Sequence, residues 1–416
     1  MADVVAVVNI GQLVTLAGPA RPRVGRELGE LGLVPDAALI ACDGRVTAVG
    51  PASEVRTSIP PDATIIDAEG RCVTPGFVDA HTHLVFAGNR AAEFEQRLAG
   101  ATYQQIAAAG GGILSTVSQT RAASEDDLLT AARFHRDWML RAGTTTIEAK
   151  SGYGLDHDTE LKMLRVLARL HAEGPAAIVS TLLAAHSVPP EFTDRRAEYV
   201  RWVAEELIPE VATAGLASFC DAFCDDHAFT VEESRTVLTA ARHHGLRLRI
   251  HAEQFSPGTG ATLAAELGAA TADHLETVTE EALTQLRTAG VQPVLLPGSV
   301  FALGRTNYPP ARLMVEMGLA PVVATDFNPG SSPIASMPFV LSLSCLKMGL
   351  SVAEALTAAT INAAWSLDQG SRVGSLEAGK QADFLIHEFD DYRELAYFIA
   401  APARPRVFIA GREVAR

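Results

Sequence analysis

The sequence lacks several features that define large classes of protein. It contains no uninterrupted apolar run of about 18 residues, the length that a membrane-spanning helix needs. The first residues carry Asp3 and no basic flank, which is not typical of a signal peptide. Aromatic residues make up only 6%, yet 48% of the 416 residues are hydrophobic, too many for a disordered chain. The sequence therefore predicts a globular protein without a membrane partner.

Basic residues are also scarce. The chain has 34 Lys and Arg against 49 Asp and Glu, a net charge of −15. Such a chain does not attract nucleic acid through its overall field, so we expect no nucleic-acid partner. The same balance disfavours an anionic small substrate, unless a local group of cations meets it. Nor does the sequence contain a Gly-x-x-x-x-Gly-Lys-Ser/Thr loop, which argues against a phosphate-binding function.

Cysteine is sparse, with five residues in a long chain. An odd number without the spacing of a disulfide framework is typical of a reducing compartment, so a cytoplasmic location is expected. Cys220 and Cys224 lie four residues apart, but no second pair completes a structural zinc site. Packing inside a strand is the simpler interpretation for both of them.

Both ends of the chain show short apolar segments with turn signals. The hairpin signal Asp43-Gly44 lies between two such segments near the N-terminus. Similar segments recur at 382–387 and 407–409. We therefore predict a small composite β-sandwich domain built from residues 1–70 and 370–416.

The centre of the chain, residues 71–369, alternates apolar strands with amphipathic helical segments. Eight strands are predicted, at 76–83, 144–150, 178–186, 217–224, 246–253, 270–274, 292–296 and 321–326. Nearly continuous apolar strands separated by helices indicate a parallel sheet that is covered on both faces. Eight of them predict an α/β fold of the (β/α)8 TIM-barrel type.

Polar and titratable side chains occur where these strands end. The carboxyl ends of all strands in such a barrel lie on one rim, where active sites are found. These residues are therefore expected to share one pocket. The strand-end residues are His81, His83, His186, His251, His274 and Asp326.

The spacing of His81 and His83 indicates a metal site. Residues two apart in a strand point to the same side, so both imidazoles can reach one cation. His251 and Asp326 would complete a set of nitrogen and oxygen ligands with an open position for water. Such a set suits Zn²⁺ and also iron.

This arrangement resembles the amidohydrolase superfamily of metal-dependent barrel hydrolases. The segment from Val73 to His83 reads Val-Thr-Pro-Gly-Phe-Val-Asp-Ala-His-Thr-His, and the segment from Gly374 to Asp383 resembles the return into the small domain. Finer motifs resemble the members that open an imidazolone ring in histidine degradation. These motifs lie at 83–90, 110–116, 150–155, 219–224 and 325–332, so the resemblance covers nearly the whole chain.

The resemblance implies hydrolysis of 4-imidazolone-5-propanoate to N-formimidoyl-L-glutamate. It also implies one Zn²⁺ or Fe³⁺ per subunit, bound by His81, His83, His251 and Asp326. By the same comparison, His274 assists catalysis. The residues expected to contact substrate or product are Arg90, Tyr153, His186, Asn328, Gly330 and Ser331.

The proton-transfer residue is left open by the sequence. Related barrels often carry Glu three residues after the histidine of strand five, but this chain has Gln254, which cannot titrate. We therefore predict Gln254 as a substrate contact. Proton transfer would be carried out by His274, Asp326 or Glu253, the last of which points to the same side as His251 if the strand continues.

Several alternatives are weighed against this interpretation. A deaminase of a neutral base has similar chemistry, but it does not need Arg90, which suits a carboxylate tail. A barrel that serves only as a scaffold would not retain four metal ligands. Lys150 raises the possibility of a carbamylated lysine between two metals, and the segment that starts at Asn328 is either an anion-binding helix start or a simple turn. A homodimer is the default expectation.

Overall fold

The computed structural model describes residues 3–101, 105, 110–226, 228–401 and 404–415. Two eight-stranded sheets organise this part of the chain. The first is mixed and takes strands from both ends of the sequence, as predicted. Its strands are β1 (Val4–Val14), β2 (Leu33–Cys42), β3 (Arg45–Pro51), β4 (Thr64–Asp67), β5 (Cys72–Pro75), β14 (Phe384–Ile386), β15 (Arg406–Ile409) and β16 (Arg412–Ala415).

The mixed sheet is held together by β1. This strand pairs antiparallel with β2 and parallel with both β4 and β5, and β5 then pairs antiparallel with β14. A buried cluster that includes Leu13, Leu39, Phe384 and Phe408 joins the two ends of the sequence. The β5 strand still belongs to this sheet. We therefore propose two domains whose boundaries lie within a few residues of the predicted ones, with the barrel beginning after Pro75.

The second sheet is the predicted barrel, and its eight strands follow one another in sequence order. They are parallel and almost fully buried, because helices cover their outer face. The strands are β6 (Phe77–Asp79), β7 (Thr144–Lys150), β8 (Ala177–Ala185), β9 (Phe219–Cys224), β10 (Arg247–Ala252), β11 (Thr271–His274), β12 (Gln292–Leu295) and β13 (Val322–Val323).

The barrel closes between its first and last strands just beyond their regular ends. Thr82 pairs with Phe327 in a parallel bridge, and the Asp326 amide donates to the His81 carbonyl at 3.0 Å. Below this bridge, the carboxylate of Asp79 accepts hydrogen bonds from the amide (3.1 Å) and hydroxyl (2.7 Å) of Thr325. The seam formed by residues 79–83 and 325–327 therefore lies where three predicted metal ligands meet.

Helices connect the strands, and several begin at polar caps. Ser124, Thr230 and Ser351 each accept a bond from the amide three residues later in a capping box. The described helices are α1 (Ala52–Val55), α2 (Ala91–Leu98), α3 (Ile113–Ala122), α4 (Glu125–Arg141), α5 (His157–Glu173), α6 (Arg196–Trp202), α7 (Ile208–Thr213), α8 (Val231–His243), α9 (Gly260–Leu267), α10 (Glu280–Ala289), α11 (Pro297–Ala302), α12 (Ala311–Glu316), α13 (Met337–Met348), α14 (Val352–Ala358), α15 (Ile361–Ser366) and α16 (Glu394–Tyr397).

Short irregular helices complete the connections. A π-helical turn, Val203–Leu207, joins α6 to α7, and 3₁₀ turns occupy Gly25–Gly29, Arg56–Ser58 and Pro190–Phe192. Within the described residues, no helix combines the length and the apolar character needed to cross a membrane.

Candidate metal centre and active site

The four predicted metal ligands converge at the carboxyl ends of the barrel strands. His81 and His83 follow β6, His251 lies near the end of β10, and Asp326 follows β13; all four are buried. Oδ1 of Asp326 lies 3.6 Å from Nε2 of His81 and 3.6 Å from Nε2 of His83. The two histidines therefore face the same side, as the His-x-His spacing predicts.

Nitrogen and oxygen atoms of these side chains are close enough to share one ion. In two overlapping groups, the ligand atoms lie within 4.8 Å of one another. One group contains His81, His83 and Asp326, and the other contains His81, His251 and His274. Together they include every predicted ligand and add His274.

Buried carboxylates orient two of the imidazoles. Nδ1 of His81 lies 2.6 Å from Oδ2 of Asp273, and Nδ1 of His251 lies 3.1 Å from Oδ1 of Asp221. Because a carboxylate only accepts, each Nδ1 carries the hydrogen and each Nε2 presents a lone pair. Neither Nε2 has a hydrogen-bond partner among the described residues. This arrangement of carboxylate and histidine is typical of metal ligation.

His274 ends β11 inside the same cluster. Its ring centroid lies 5.7 Å from that of His81 and 5.3 Å from that of His251. Nδ1 of His274 lies 3.3 Å from Oε1 of Glu276. Burial opposes the charged imidazolium, but Glu276 and the more distant Asp326 outweigh it and raise the pKa of His274. A histidine with a raised pKa close to the candidate ligands is suited to serve as an acid.

Asp326 is held by its own strand end. Its backbone amide donates to the His81 carbonyl, and its backbone carbonyl accepts from Nδ2 of the Asn328 side chain. Its φ is +53°. Burial raises the pKa of its carboxyl to about 6, against the opposing effect of His274 and His251. A nearby cation would favour the ionised form, so the residue suits both ligation and proton transfer.

Glu253 lies apart from this cluster. The β10 strand ends at Ala252, and Glu253 has a φ of +51°, so the strand alternation used to predict its direction does not reach it. Its two carboxylate oxygens accept the amide of Ala261 at 3.2 and 3.1 Å, at the start of α9. Burial raises its pKa to about 6. The side chain supports the start of a helix.

Gln254 is buried beside the site. Its side-chain Nε2 donates to the Ser299 hydroxyl at 3.4 Å, which is a long contact. Its backbone carbonyl accepts from Nη1 of Arg305 at 3.2 Å. The side-chain oxygen is free of these contacts. The amide can therefore offer both hydrogen-bond types to a bound molecule.

Arg90 extends from the loop after β6 toward the loop after β13. Its Nε donates to the Thr116 hydroxyl at 3.0 Å. A Cβ atom placed on Gly330 would lie 2.3 Å from Nη1 of Arg90, so only glycine permits this approach. Thr116 therefore anchors a half-buried guanidinium, and Gly330 leaves room for it. The remaining donors of the guanidinium are suited to a carboxylate.

Tyr153 and His186 lie next to His83. The rings of His83 and His186 stack with centroids 5.0 Å apart, and Tyr153 lies 5.4 Å from His186. Nδ1 of His186 donates to the Gly152 carbonyl at 2.9 Å, which leaves Nε2 as an acceptor. Burial lowers the pKa of His186 to about 3, and it raises that of the Tyr153 hydroxyl. Both side chains therefore stay neutral.

The segment that begins at Asn328 is a turn, and the next helix starts only at Met337. Oδ1 of Asn328 accepts the amides of Gly330 (2.8 Å) and Ser331 (2.7 Å). These amides are therefore engaged by the turn itself, which favours the simpler of the two sequence interpretations. The Ser331 hydroxyl accepts from Nδ2 of Asn328 at 2.9 Å and lies 3.4 Å from Oδ2 of Asp326.

Three buried carboxylates that contact the candidate ligands or the backbone between them were given no role by the prediction: Glu148, Asp221 and Asp273. One signal was available, since an acid in an apolar strand such as Phe219–Cys224 is costly to bury without a partner. The partner itself was not predictable. The register sets Asp221 opposite Arg249 and Asp273 opposite His251 in neighbouring strands. Each carboxylate nevertheless bonds to an imidazole that does not lie opposite it, Asp221 to His251 and Asp273 to His81.

Lys150 pairs with these carboxylates. Its Nζ lies 2.8 Å from Oε1 of Glu148 and 2.9 Å from Oδ2 of Asp221. Burial alone would lower the pKa of the ammonium, but the two carboxylates outweigh this effect and raise it. Since a carbamate forms only on a neutral amine, this environment argues against a carbamylated lysine between two metals.

The fold and this set of ligands define a metal-dependent barrel hydrolase. A model of the amidohydrolase family matches residues 72–414. An imidazolonepropionase from Solibacter usitatus (strain Ellin6076) is 56% identical over 411 residues, covering 99% of this chain and 98% of the relative. One from Geobacillus kaustophilus (strain HTA426) is 45% identical over 407 residues, covering 97% and 96%. The chain belongs to the amidohydrolase family and, within it, to the imidazolonepropionases.

Solved structures with low sequence identity share the fold. An E. coli guanine deaminase superposes with a TM-score of 0.74 at 16% identity, covering 99% of both chains. A 5-methylcytosine deaminase from Klebsiella pneumoniae has a TM-score of 0.74 at 17% identity, covering 99% of this chain and 97% of the other. At this level of identity the likeness concerns the architecture alone.

Proposed function

We propose that this chain hydrolyses 4-imidazolone-5-propanoate to N-formimidoyl-L-glutamate in histidine degradation. The observation that carries the proposal is the placement of Arg90. Thr116 anchors its guanidinium, and Gly330 leaves room for it beside the loop that follows Asp326. A substrate with a ring carbonyl at the cluster and a carboxylate tail matches this arrangement. The names of the relatives, at up to 56% identity, support the same activity.

The residues fit one Zn²⁺ or Fe³⁺ per subunit, held by His81, His83, His251 and Asp326. The two unpartnered Nε2 atoms support this set. Bound there, either ion would lower the pKa of a water and polarise a carbonyl oxygen. The choice between them is not set by three imidazoles and a carboxylate, which suit both.

Arg90 would bind the propionate group of the substrate through its free guanidinium donors. Nε2 of neutral His186 would accept a ring N–H, and Tyr153 would pack against the ring. Gln254, with both a donor and an acceptor, would orient the ring from the side of Ser299.

The turn after β13 would shape the pocket on the Arg90 side. Asn328 holds the turn closed, Gly330 leaves room for the guanidinium, and Ser331 offers a hydroxyl near Asp326. We propose these three residues as substrate contacts or direct supports of such contacts.

The hydrolysis adds one water across the bond between the ring carbonyl carbon and the adjoining nitrogen. Asp326 would take a proton from the attacking water, and His274, supported by Glu276, would deliver one to the departing nitrogen. Glu253 was the third predicted candidate for proton transfer. Its bonds to α9 give it no position for this role, so we leave it out of the proposed mechanism.

The proposal is tested with freshly prepared 4-imidazolone-5-propanoate, with and without chelation. We expect ring opening that a chelator abolishes and that added Zn²⁺ or Fe³⁺ restores. Guanine and cytosine serve as control substrates, because a deaminase would turn them over instead. Absence of metal-dependent ring opening would overturn the proposal.

We further propose that the enzyme is a cytoplasmic homodimer. The five cysteines form no disulfide, which supports the reducing environment of the cytoplasm.

The homodimer is supported by large exposed apolar side chains on or directly after α13 and α16. These two helices are joined by the Ser342 hydroxyl, which donates to the Ala396 carbonyl at 2.9 Å. The exposed side chains include Leu346, Tyr397, Phe398 and Ile399. Light scattering coupled to size-exclusion chromatography should give twice the chain mass of 44.0 kDa.

A further inference from the structure

A layer of buried charges lies beneath the imidazoles, inside the barrel. Its anions are Glu148, Asp221 and Asp273, and its cations are Lys150 and Arg249; all five side chains are fully buried. We call this set the charged layer. Burying so many charges is costly unless each has a partner and the arrangement serves a purpose.

Lys150 lies at the centre of the charged layer. Its ammonium contacts Glu148 at 2.8 Å and Asp221 at 2.9 Å, and it lies 3.9 Å from Oδ2 of Asp273. Glu148 and Lys150 are two residues apart in β7, so both point into the barrel. One cation therefore reaches carboxylates on three different strands.

Each of these carboxylates touches a segment that carries proposed ligands. Asp221 accepts a hydrogen bond from Nδ1 of His251, and Asp273 accepts one from Nδ1 of His81. Oε2 of Glu148 accepts the amide of Thr82 at 3.1 Å, and Thr82 lies between His81 and His83. The contacts of Lys150 thus extend to His251 and His81 through one carboxylate each, and to the backbone between His81 and His83 through Glu148.

Arg249 provides a second support on the Asp273 side. Its Nη2 donates to Oδ2 of Asp273 at 3.1 Å and to the carbonyl of Ala80 at 2.8 Å. Ala80 directly precedes His81, so the same guanidinium fixes both the backbone and the carboxylate partner of that ligand.

We propose that Lys150 and Arg249 are positioning residues for the metal ligands. Lys150 holds Glu148 and Asp221 in place, and Arg249 holds Asp273. Asp221 and Asp273 in turn fix the directions of two imidazole lone pairs, and Glu148 fixes the backbone between His81 and His83. This inference rests on the proposed metal site but not on the identity of the substrate. Outer contacts of this kind typically contribute about 10–100-fold to metal affinity.

The test measures metal binding directly. Wild-type protein, Lys150→Met and Lys150→Gln are stripped of metal, and Zn²⁺ affinity is determined by competition with a chromogenic chelator. Co²⁺ is then bound, and its visible absorption spectrum reports the ligand geometry. We expect both variants to bind Zn²⁺ about 10–100-fold more weakly and to show an altered Co²⁺ spectrum.

Lys162→Met is the matched control. Lys162 donates to the carbonyls of Thr120, Arg121 and Ala123 at the end of α3, on the outside of the barrel. Its variant should keep wild-type metal affinity. A folded Lys150→Met protein with wild-type Zn²⁺ affinity and Co²⁺ spectrum would overturn the proposal.

Removal of Lys150 leaves two buried carboxylates without their cation, so both variants can fail to fold. In that case Arg249→Lys decides, because it keeps the charge but loses the paired contacts to Asp273 and Ala80. Weaker Zn²⁺ binding by Arg249→Lys supports the proposal, and unchanged binding refutes it. Absence of ring opening by a wild-type protein that binds Zn²⁺ would instead count against the proposed substrate alone.

Discussion

At the scale of single residues, the Arg90 guanidinium explains how an acidic chain can take an anionic substrate. The net charge of −15 sets the long-range field, which salt screens over about 8–10 Å. Inside the pocket the local charges decide, and there the fixed guanidinium lies on the same rim as the metal ligands. The composition was a poor guide to the substrate for this reason.

Replacing Arg90 by Lys should raise KM for the proposed substrate by about tenfold, or about 1.4 kcal/mol, because the ammonium cannot bind a carboxylate through two parallel bonds. The turnover number should change much less. Steady-state kinetics measure both. An analogue with an amide in place of the propionate carboxylate is the control, since it should respond weakly to the substitution. An unchanged KM would count against the carboxylate contact.

His274→Ala and Gln254→Ala should affect different kinetic constants. Loss of the proposed acid should lower kcat by about 10²–10⁴-fold. Loss of the proposed orienting amide should mainly raise KM and leave measurable turnover. Both variants are assayed after their metal content has been matched to wild type. Similar losses of kcat in the two proteins would contradict this division of roles.

The sequence predicted that the candidate ligands converge, but it did not predict their hydrogen-bond partners. His81, His83, His251 and Asp326 come together because the strand ends of a parallel barrel share one rim. Glu253 shows the limit of this reasoning, since a single positive φ after β10 redirects its carboxylate to α9. The pairing of Lys150 with Asp221 depends on strand register and on packing across the barrel, which periodicity does not contain.

At the scale of elements, the predicted and observed strands agree closely in the middle of the barrel and least at its seam. The prediction for β7 is exact at Thr144–Lys150, whereas the predicted strand 321–326 is regular only at Val322–Val323. Beyond Val323 the chain leaves regular strand geometry, and Asp326 has a φ of +53°. Apolar patterning therefore predicts where this strand lies but not where its regular geometry ends.

Thr325→Val tests how much the seam contributes to stability. The substitution removes the hydroxyl that donates to Asp79 and accepts from the Phe327 amide at 3.1 Å. We expect the metal-free protein to lose about 1–3 kcal/mol, because two buried groups lose their partner. Urea unfolding measures the change. Thr284→Val, which removes an exposed bond to the Glu280 carbonyl, is the control and should have little effect.

At the scale of the whole molecule, the mixed sheet contains a buried titratable group far from the ligands in the fold. His387 follows β14, and its Nε2 lies 2.9 Å from the Thr74 hydroxyl. Burial lowers its pKa to about 3. Between about pH 3 and about pH 6.5, the His387 imidazole is protonated in the unfolded chain but stays neutral in the folded chain. Its contribution to stability is therefore complete above pH 6.5 and falls as the pH decreases.

His387→Gln should flatten the acid side of the stability profile. Between about pH 6.5 and 4.5, the free energy of unfolding of wild type should fall by up to about 1.4 kcal/mol per pH unit more than that of the variant. Denaturant unfolding at several pH values measures the difference. The exposed His243→Gln variant serves as the control, and parallel profiles for wild type and His387→Gln would contradict the assignment.

The seam has a consequence for how the protein loses its metal. The hydrogen bonds from the His83 amide to the Phe327 carbonyl (2.8 Å) and from the Asp326 amide to the His81 carbonyl (3.0 Å) close the barrel at three of the proposed ligands. Opening the barrel at this line and releasing the ion are therefore coupled events. The amide protons of His83 and Asp326 should exchange with solvent deuterium more slowly once the ion is bound. A bound ion would therefore stabilise the closed barrel against opening at this seam.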